Sequence, residues 1–204
     1  MRASAADESR ATEAAPELEG RWRIMSVAGQ LFSVKGFNGT SIRDIARAAD
    51  MSMSNMYHHF GSKENVLIAI YEEGAEEIRN ELASVVNLDI DPVARLELLV
   101  MRHMKYAHKV NSKARLFTVE IDQIPEGARE PVAKCERGIL EIYEQELRLV
   151  RALGRLKPID ITVAAFIIIA AVNWPLRWYR EGGRLSYGEV CENTVQVIRE
   201  GLLK

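Results

Sequence analysis

Three observations predict an all-α protein of about nine helices. Apolar residues recur at helical spacing along nearly the whole chain, and no stretch alternates apolar and polar residues as a strand would. Glycine, proline, asparagine and aspartate interrupt this spacing where helices should end. We expect a disordered tail over residues 1–19, a small three-helix unit over 20–66 and a larger helical unit over 67–204.

The composition is that of an ordinary globular protein. Hydrophobic residues make up 48% of the 204 residues and charged ones 27%, with a formal net charge of −2, which excludes a histone-like protein and a highly charged disordered chain. Cys135 and Cys191 are too few for a disulfide scaffold, and no cysteine–histidine cluster has zinc-site spacing. We therefore expect a reducing compartment, with no metal and no other cofactor.

Neither a signal peptide nor a membrane span is expected. The N-terminus is polar, and the longest apolar run, 161–172, is shorter than the ~20 residues that span a bilayer. These features favour a cytoplasmic protein that does not bind membranes.

Charge is distributed unevenly along the chain. Residues 1–20 have a net charge of −3 and low hydrophobicity, which predicts disorder, whereas residues 21–66 have a net charge of +3. A basic unit ahead of a mildly acidic body is typical of a nucleic-acid-binding module on a carrier domain, although so small an excess also arises by chance.

The basic unit has the pattern of a helix-turn-helix. After a first amphipathic helix, a short second helix runs over 42–49, and Thr40 or Ser41 can cap it. A tight connection leads to a third short helix over 53–60, which Ser52 can cap. Two short amphipathic helices joined in this way are the signature of that motif.

The third helix presents a polar face that suits DNA. Ser54, Asn55 and His58 are small or polar enough to approach base edges in a major groove. Tyr57 flanks them. Asn55 and Lys63 have no evident structural need, which favours DNA contacts for both. The predicted DNA-binding residues are Thr40, Ser41, Arg43, Ser52, Ser54, Asn55, Tyr57, His58 and Lys63.

The run over residues 40–65 resembles the DNA-binding domain of the TetR family of transcriptional regulators. It has the Ile45-Ala46 pair in the second helix, the aromatic-x-x-Phe block over 57–60 and the small-Ser-Lys-Glu step over 61–64. The sequence departs from the family's common pattern at Met51, Met53 and Ser54, which leaves the operator sequence unreadable. The resemblance, over about residues 20–66, implies a dimer that reads a near-palindromic operator and binds a small ligand in its larger domain. For Tyr57 it implies a phosphate contact, and the alternative is packing.

The larger unit is expected to contain helices over 92–110, 113–121, 128–153, 160–181 and 187–203. The helix over 160–181 is apolar nearly all round, which predicts burial on every side, and Pro175 is expected to kink it. A single domain readily buries one face of a helix, so an apolar second face favours a partner subunit that covers it. As the resemblance implies, this helix and the amphipathic one over 187–203 would form the dimer interface; the alternative is the central helix of a monomer.

A ligand site is expected in the same unit. Arg177 lies between Trp174 and Trp178, where a guanidinium could bind a phosphate or carboxylate and the indoles could stack on a flat ring. The alternative is that Arg177 only complements its helix C-terminus. Leu99, His103 and Tyr106 are further candidates for an apolar lining, or for core. The predicted ligand-binding residues are Met101, Met104, Phe117, Asn173, Trp174 and Arg177.

The end of the helix over 160–181 resembles the TetR-family repressors of sterol-ring catabolism, which respond to CoA thioesters. In those repressors an arginine at the place of Arg177 helps to hold CoA, and its two assisting residues correspond here to Ile169 and Asn173. This resemblance implies a large, mainly apolar effector that is anionic at one end, such as an acyl-CoA.

The sequence contains no motif that indicates catalysis, so we expect no enzyme and no catalytic residue. The leading hypothesis is a repressor released from its operator by a small hydrophobic effector. The alternatives are a constitutive dimeric DNA-binding protein without a ligand and an all-α ligand carrier. A salt-dependent footprint separates the carrier from the other two, and ligand-induced release separates those two from each other.

Overall fold

The computed structural model describes residues 5–109, 124 and 126–204. Within these residues the chain forms nine α-helices, a 3₁₀ turn at Glu126–Ala128 and an isolated β-bridge between Leu156 and Leu203, which confirms the all-α prediction. The helix expected over 113–121 lies outside the described residues. The helices are α1 (Ala5–Lys35), α2 (Ile42–Ala48), α3 (Met53–His59), α4 (Lys63–Val86), α5 (Pro92–Lys109), α6 (Glu130–Ala152), α7 (Ile161–Asn173), α8 (Pro175–Trp178) and α9 (Tyr187–Leu202).

Helix α1 begins at Ala5 and includes most of the segment that we expected to be a disordered tail. Alanine and glutamate, which are frequent there, have high helix propensities, and the helix continues without a break into the packed turns from Gly20 onward. Low hydrophobicity argues against a core in this segment but not against a helix. The structure thus places residues 5–19 in a helix, where the sequence predicted a disordered tail.

Helix α4 contributes to two hydrophobic cores. Its N-terminal half, as far as Ala75, packs with α1, α2 and α3. Its C-terminal half, with Ile78, Leu82 and Val85, packs with α5, α6, α7 and α9. The first core thus extends past the expected boundary at residue 66, and α4 joins the two units directly.

A buried ion pair connects α5 to α6. The Glu146 side chain is almost fully buried, and the Nε atom of Arg95 lies 2.9 Å from each of its two carboxylate oxygens. Arg95 also donates a hydrogen bond to the carbonyl of Leu88 at 2.9 Å. Because an unpaired buried carboxylate is costly, this pairing holds α5 and α6 at a fixed register.

The helix expected over 160–181 is divided at Pro175. Proline has no backbone N–H and crowds the preceding turn, so α7 ends at Asn173 and α8 forms a separate turn. By length and composition alone, the span Ile161–Trp178 would be apolar enough to cross a membrane, and 33% of it is buried within the chain. Core helices of soluble proteins meet the same criterion.

Candidate DNA-reading surface and effector cavity

Local capping interactions set the two helices of the helix-turn-helix. The Ser41 hydroxyl accepts a hydrogen bond from the Asp44 N–H at 3.1 Å, and the Asp44 carboxylate accepts one from the Ser41 N–H at 3.0 Å, which completes a capping box. Hydrogen bonds from Ser41 also lower the pKa of Asp44. The Ser52 hydroxyl caps α3 by accepting from the Asn55 N–H at 3.2 Å. Both predicted caps are confirmed, and Asp50 between the helices makes the turn with a left-handed φ of 54°.

Helix α3 turns its polar face to solvent. Met56 is fully buried in the first core, whereas Ser54, Asn55 and His58 are exposed and Tyr57 is 54% exposed. This division matches the one expected from the sequence and leaves the polar side chains accessible to a DNA groove. Three further predicted contact residues, at the N-terminal ends of α2 and α3, are also exposed: Ser41, Arg43 and Ser52.

Lys63 and Thr40 instead make hydrogen bonds within the protein. The Lys63 ammonium donates hydrogen bonds to the carbonyls of Phe37 at 2.8 Å and Thr40 at 3.0 Å, and it lies 4.0 Å from the centroid of the Phe37 ring. Thr40 is 1% exposed, and its hydroxyl donates to the carbonyl of Gly36 at 2.9 Å. The expectation that Lys63 has no structural need is therefore wrong. The Thr40 hydroxyl is directed into the protein rather than toward a phosphate.

The C-terminal end of α3 packs against α1. The Arg21 guanidinium lies 4.3 Å from the centroid of the Phe60 ring and donates to the carbonyl of His59 at 3.3 Å. Gly20 allows a close approach, because a Cβ there would lie 3.0 Å from Nε2 of His59. These contacts orient α3 relative to α1.

A cavity of about 370 Å³ lies between α4, α5, α6 and α7. Small-molecule sites in proteins have volumes of roughly 300–1,000 Å³, so this cavity suits a small ligand. Most of its wall is apolar. The polar residues in the wall are Tyr71, His103, Glu136, Arg137 and Asn173.

Two polar pairs belong to this cavity. The Nδ1 atom of His103 and the hydroxyl of Tyr143 are 2.9 Å apart, and both side chains are buried. Burial lowers the pKa of His103 to about 4, so its ring is neutral near pH 7, and burial raises the pKa of Tyr143. On another wall, the Tyr71 hydroxyl donates to the Glu136 carboxylate at 3.1 Å, and burial raises the pKa of Tyr71.

Few of the predicted ligand-binding residues line the cavity. Asn173 lines it, whereas Met104 is fully buried in the second core and Met101 lines shallow surface grooves elsewhere. Phe117 lies outside the described residues. Met101 and Met104 therefore lie outside the wall of this cavity, since an apolar stripe on a helix does not show which of its members border a void.

Trp174 and Arg177 also lie outside the cavity wall. The Trp174 side chain is 61% exposed, and the Arg177 guanidinium lies 6.0 Å from the centroid of its ring. Both follow the end of α7 at Asn173, so they occupy the next turn of chain beyond the wall. Sequence reasoning missed Tyr71, Glu136 and Tyr143, for which the available signal was a polar group within an otherwise apolar helical stripe.

Helices α7 and α9 leave apolar side chains exposed. Helix α7 buries Ala164, Ala165, Ile168 and Val172 on one face only. Val163, Phe166 and Ile167 on its other face are between 47% and 57% exposed, and Val197 on α9 is 70% exposed. Burial of α7 on every side is thus not achieved within the single chain. Exposed apolar side chains on one helix face, like these on α7, are typical of interaction surfaces.

Both units match one family of regulators. Residues 24–70 match the family described as bacterial regulatory proteins, tetR family, and residues 89–202 match the tetracyclin repressor-like C-terminal domain. The chain belongs to the TetR family. The resemblance seen over residues 40–65 is confirmed and extends through the larger unit. This TetR-family protein is a DNA-binding transcriptional regulator with an N-terminal helix-turn-helix domain and a C-terminal helical domain.

Individual relatives of this TetR-family chain have low sequence identity to it, but the matches cover most of each chain. The transcriptional repressor KstR2 of Rhodococcus jostii strain RHA1 is 25% identical over 185 residues, which cover 89% of this chain and 90% of that protein. A tetR-family regulatory protein from Rhodococcus RHA1 superposes with a TM-score of 0.81 at 23% identity, covering 89% of this chain and 95% of that one. AibR, solved with isovaleryl coenzyme A and operator DNA, has a TM-score of 0.79 at 24% identity, covering 87% of this chain and 97% of that one. These structural likenesses show a shared fold.

Proposed function

We propose that this chain is a repressor that leaves its operator when a small, mainly apolar effector enters the α4–α7 cavity. The observation that supports the proposal most is the double role of α4. Tyr71, Ala75 and Ile78 of this helix line the cavity, and its N-terminal half forms the core on which α3 rests. A ligand that shifts α4 would therefore reposition the DNA-reading helix. Its effect on DNA affinity can be no larger than its preference for one of the two arrangements.

In the DNA complex, two copies of α3 would lie in successive major grooves of a near-palindromic operator. Asn55 would read a base edge, with Ser54 and His58 beside it. Phosphates would be bound by Ser41, Arg43, Ser52 and Tyr57. Such contacts fix the register of the protein on DNA without reading its sequence. The protein would act in the cytoplasm, where operator DNA lies.

The second copy would pair through the exposed apolar faces of α7 and α9. Val163 and Ile167 on α7 and Val197 on α9 would be covered in such a dimer. This pairing supplies the burial on a second face that the sequence of α7 calls for. It also explains the exposed apolar side chains without requiring a different protein partner.

The effector class that we propose is an acyl-CoA or a compound of similar build. AibR, which shares the fold, was solved with isovaleryl coenzyme A. A cavity of about 370 Å³ would hold an acyl group but not the nucleotide, which would lie outside it. There the exposed Arg137 at the cavity, or Arg177 on the turn after Asn173, could bind a phosphate.

A footprint on the DNA that flanks the protein's own gene tests this proposal. We expect protection of a near-palindromic site that weakens steeply with salt, because phosphate contacts release counterions. Addition of cell extract or of acyl-CoA thioesters should restore cleavage by the footprinting reagent. Protection that no extract or thioester relieves would favour the constitutive DNA-binding protein. The carrier alternative predicts no specific protection at all.

A further inference from the structure

We propose that the buried end of the α4–α7 cavity recognises an uncharged hydrogen-bond acceptor, such as a ketone, ester or thioester carbonyl, through the Nε2–H of His103. This inference rests on the proposed function in one respect, namely that the cavity is the effector site. It specifies which chemical group a ligand must carry at its buried end.

Tyr143 determines which nitrogen of His103 carries the proton. The Tyr143 hydroxyl is fully buried, and among the described residues its hydrogen-bond partner is Nδ1 of His103 at 2.9 Å. A buried hydroxyl proton without an acceptor is costly, so Tyr143 donates and Nδ1 accepts. A neutral imidazole then carries its proton on Nε2.

The remaining ring nitrogen opens into the cavity. His103 is part of the cavity wall, and the described chain offers its Nε2 atom no hydrogen-bond partner. The described residues contain no fully buried side-chain nitrogen or oxygen that lacks a partner, so Nε2 must be accessible from the void. An N–H donor in an apolar wall is satisfied by an acceptor on the ligand.

The charges around the cavity select against an anion at this end. Burial lowers the pKa of His103 to about 4, so the imidazole stays neutral at neutral pH. Among the described residues of the wall, Arg137 alone carries a positive charge, and it is exposed at the surface. The adjacent Glu136 adds a negative charge. A carboxylate bound beside His103 would lose its hydration without gaining a counter-ion.

The rest of the cavity suits a hydrocarbon body. Ile78, Ile139, Leu140, Phe166 and Ile169 line the space next to His103. A linear or cyclic carbonyl compound can therefore place its apolar part against these side chains while its oxygen accepts from Nε2. The hydrogen bond fixes its orientation, and the apolar contacts supply most of the affinity.

Calorimetric titration of the full chain with three probes of equal chain length tests the inference: 2-octanone, 1-octanol and octanoate, at neutral pH. We expect the two neutral probes to bind and octanoate to bind at least about tenfold more weakly. In His103→Leu, the affinity for 2-octanone should fall roughly three- to tenfold, which is the effect of one lost hydrogen bond. The matched control is Met104→Leu, a neighbouring buried residue outside the wall, which should leave the affinity for 2-octanone unchanged.

The wild-type comparison needs no variant and therefore remains decisive if His103→Leu fails to fold. Octanoate binding as tightly as 2-octanone, or no binding of either neutral probe, would overturn the inference. Undiminished affinity for 2-octanone in a folded His103→Leu would do the same. Operator release is measured separately by gel shift. If the neutral probes bind more tightly than octanoate but do not release DNA, the inference is upheld and the proposed function is contradicted. If the probes release DNA but octanoate binds as tightly as the neutral ones, the proposed function is upheld and the inference is contradicted.

Discussion

The Lys63 ammonium, in the first turn of α4, donates a hydrogen bond to the carbonyl of Phe37 in the loop after α1 at 2.8 Å. Two turns further along the same helix, Tyr71 stands in the wall of the cavity. One continuous helix therefore connects the framework that holds the DNA-reading helix to the place where we propose that the effector binds. Displacement of α4 by a ligand would be transmitted through the Lys63 contacts to the loop that leads into α2.

Lys63 is expected to stabilise the fold through its two hydrogen bonds to backbone carbonyls. Lys63→Ala should lower the free energy of unfolding by about 1–3 kcal/mol, because two backbone carbonyls lose a charged donor. Thermal denaturation measures this effect, and Lys35→Ala, which removes an exposed lysine near the same loop, is the control. Unchanged stability together with a reduced salt dependence of DNA binding would instead indicate that Lys63 serves a phosphate.

On the DNA-reading surface, contacts between residues close in sequence could be predicted, whereas contacts between residues far apart in sequence could not. The caps Ser41 and Ser52 bond to N–H groups three residues away, so a local pattern reveals them. The partners of Lys63 lie 23 and 26 residues away and are backbone carbonyls, which no spacing of side chains discloses. The exposed face of α3 was predictable because helical periodicity alone assigns its apolar side to the core.

In the cavity, too, the residues that pair are far apart in sequence, so their pairing could not be predicted. His103 and Tyr143 are 40 residues apart, and Tyr71 and Glu136 are 65 apart. Their pairing depends on how three helices pack, so the sequence could indicate polar groups within apolar stripes but not a shared site. The break at Pro175 was predictable from one residue. The position of Arg177 outside the cavity wall became visible only in the structure.

Asn55 should control sequence preference rather than general affinity for DNA. Asn55→Ala should cost about 1–3 kcal/mol on the preferred operator and relax discrimination at one base pair, since an amide reads a base edge through two hydrogen bonds. Binding to a set of single-base operator variants measures this effect. Asn193→Ala on α9, which removes an exposed amide far from α3, should bind like the wild type. An unchanged preference in Asn55→Ala would mean that α3 is oriented differently in the groove.

Neighbouring residues of α9 separate dimerisation from folding. Val197 is 70% exposed and Ile198 is 5% exposed. Val197→Asp should give a folded monomer, because the charge would be buried only in the proposed dimer. Ile198→Asp should unfold the larger domain, since the charge would be buried in the folded monomer as well as in the dimer. Sedimentation velocity and circular dichroism distinguish these outcomes, and a dimeric Val197→Asp would place the interface elsewhere.

Burial of neutral His103 makes stability depend on pH. Its pKa is lowered by burial from 6.5 to about 4, so in that range the unfolded chain binds a proton that the folded chain does not. The contribution of His103 to stability is therefore complete above about pH 6.5 and is lost as the pH falls toward 4, by about 3 kcal/mol in total. The difference in unfolding free energy between the wild type and His103→Gln, measured across this range, should follow that curve. A difference that does not vary with pH would contradict a neutral buried ring.

The central claim is that occupation of the α4–α7 cavity controls operator binding, and filling the cavity tests it most directly. Ala133 lines the cavity on α6 and is half-buried, so Ala133→Trp should occupy the space that the effector needs. In a gel-shift titration with octanoyl-CoA on the footprinted operator, the wild type should be released. Ala133→Trp should bind the same DNA with a greatly reduced response to the thioester. Release of Ala133→Trp at the same octanoyl-CoA concentration as the wild type would contradict the account.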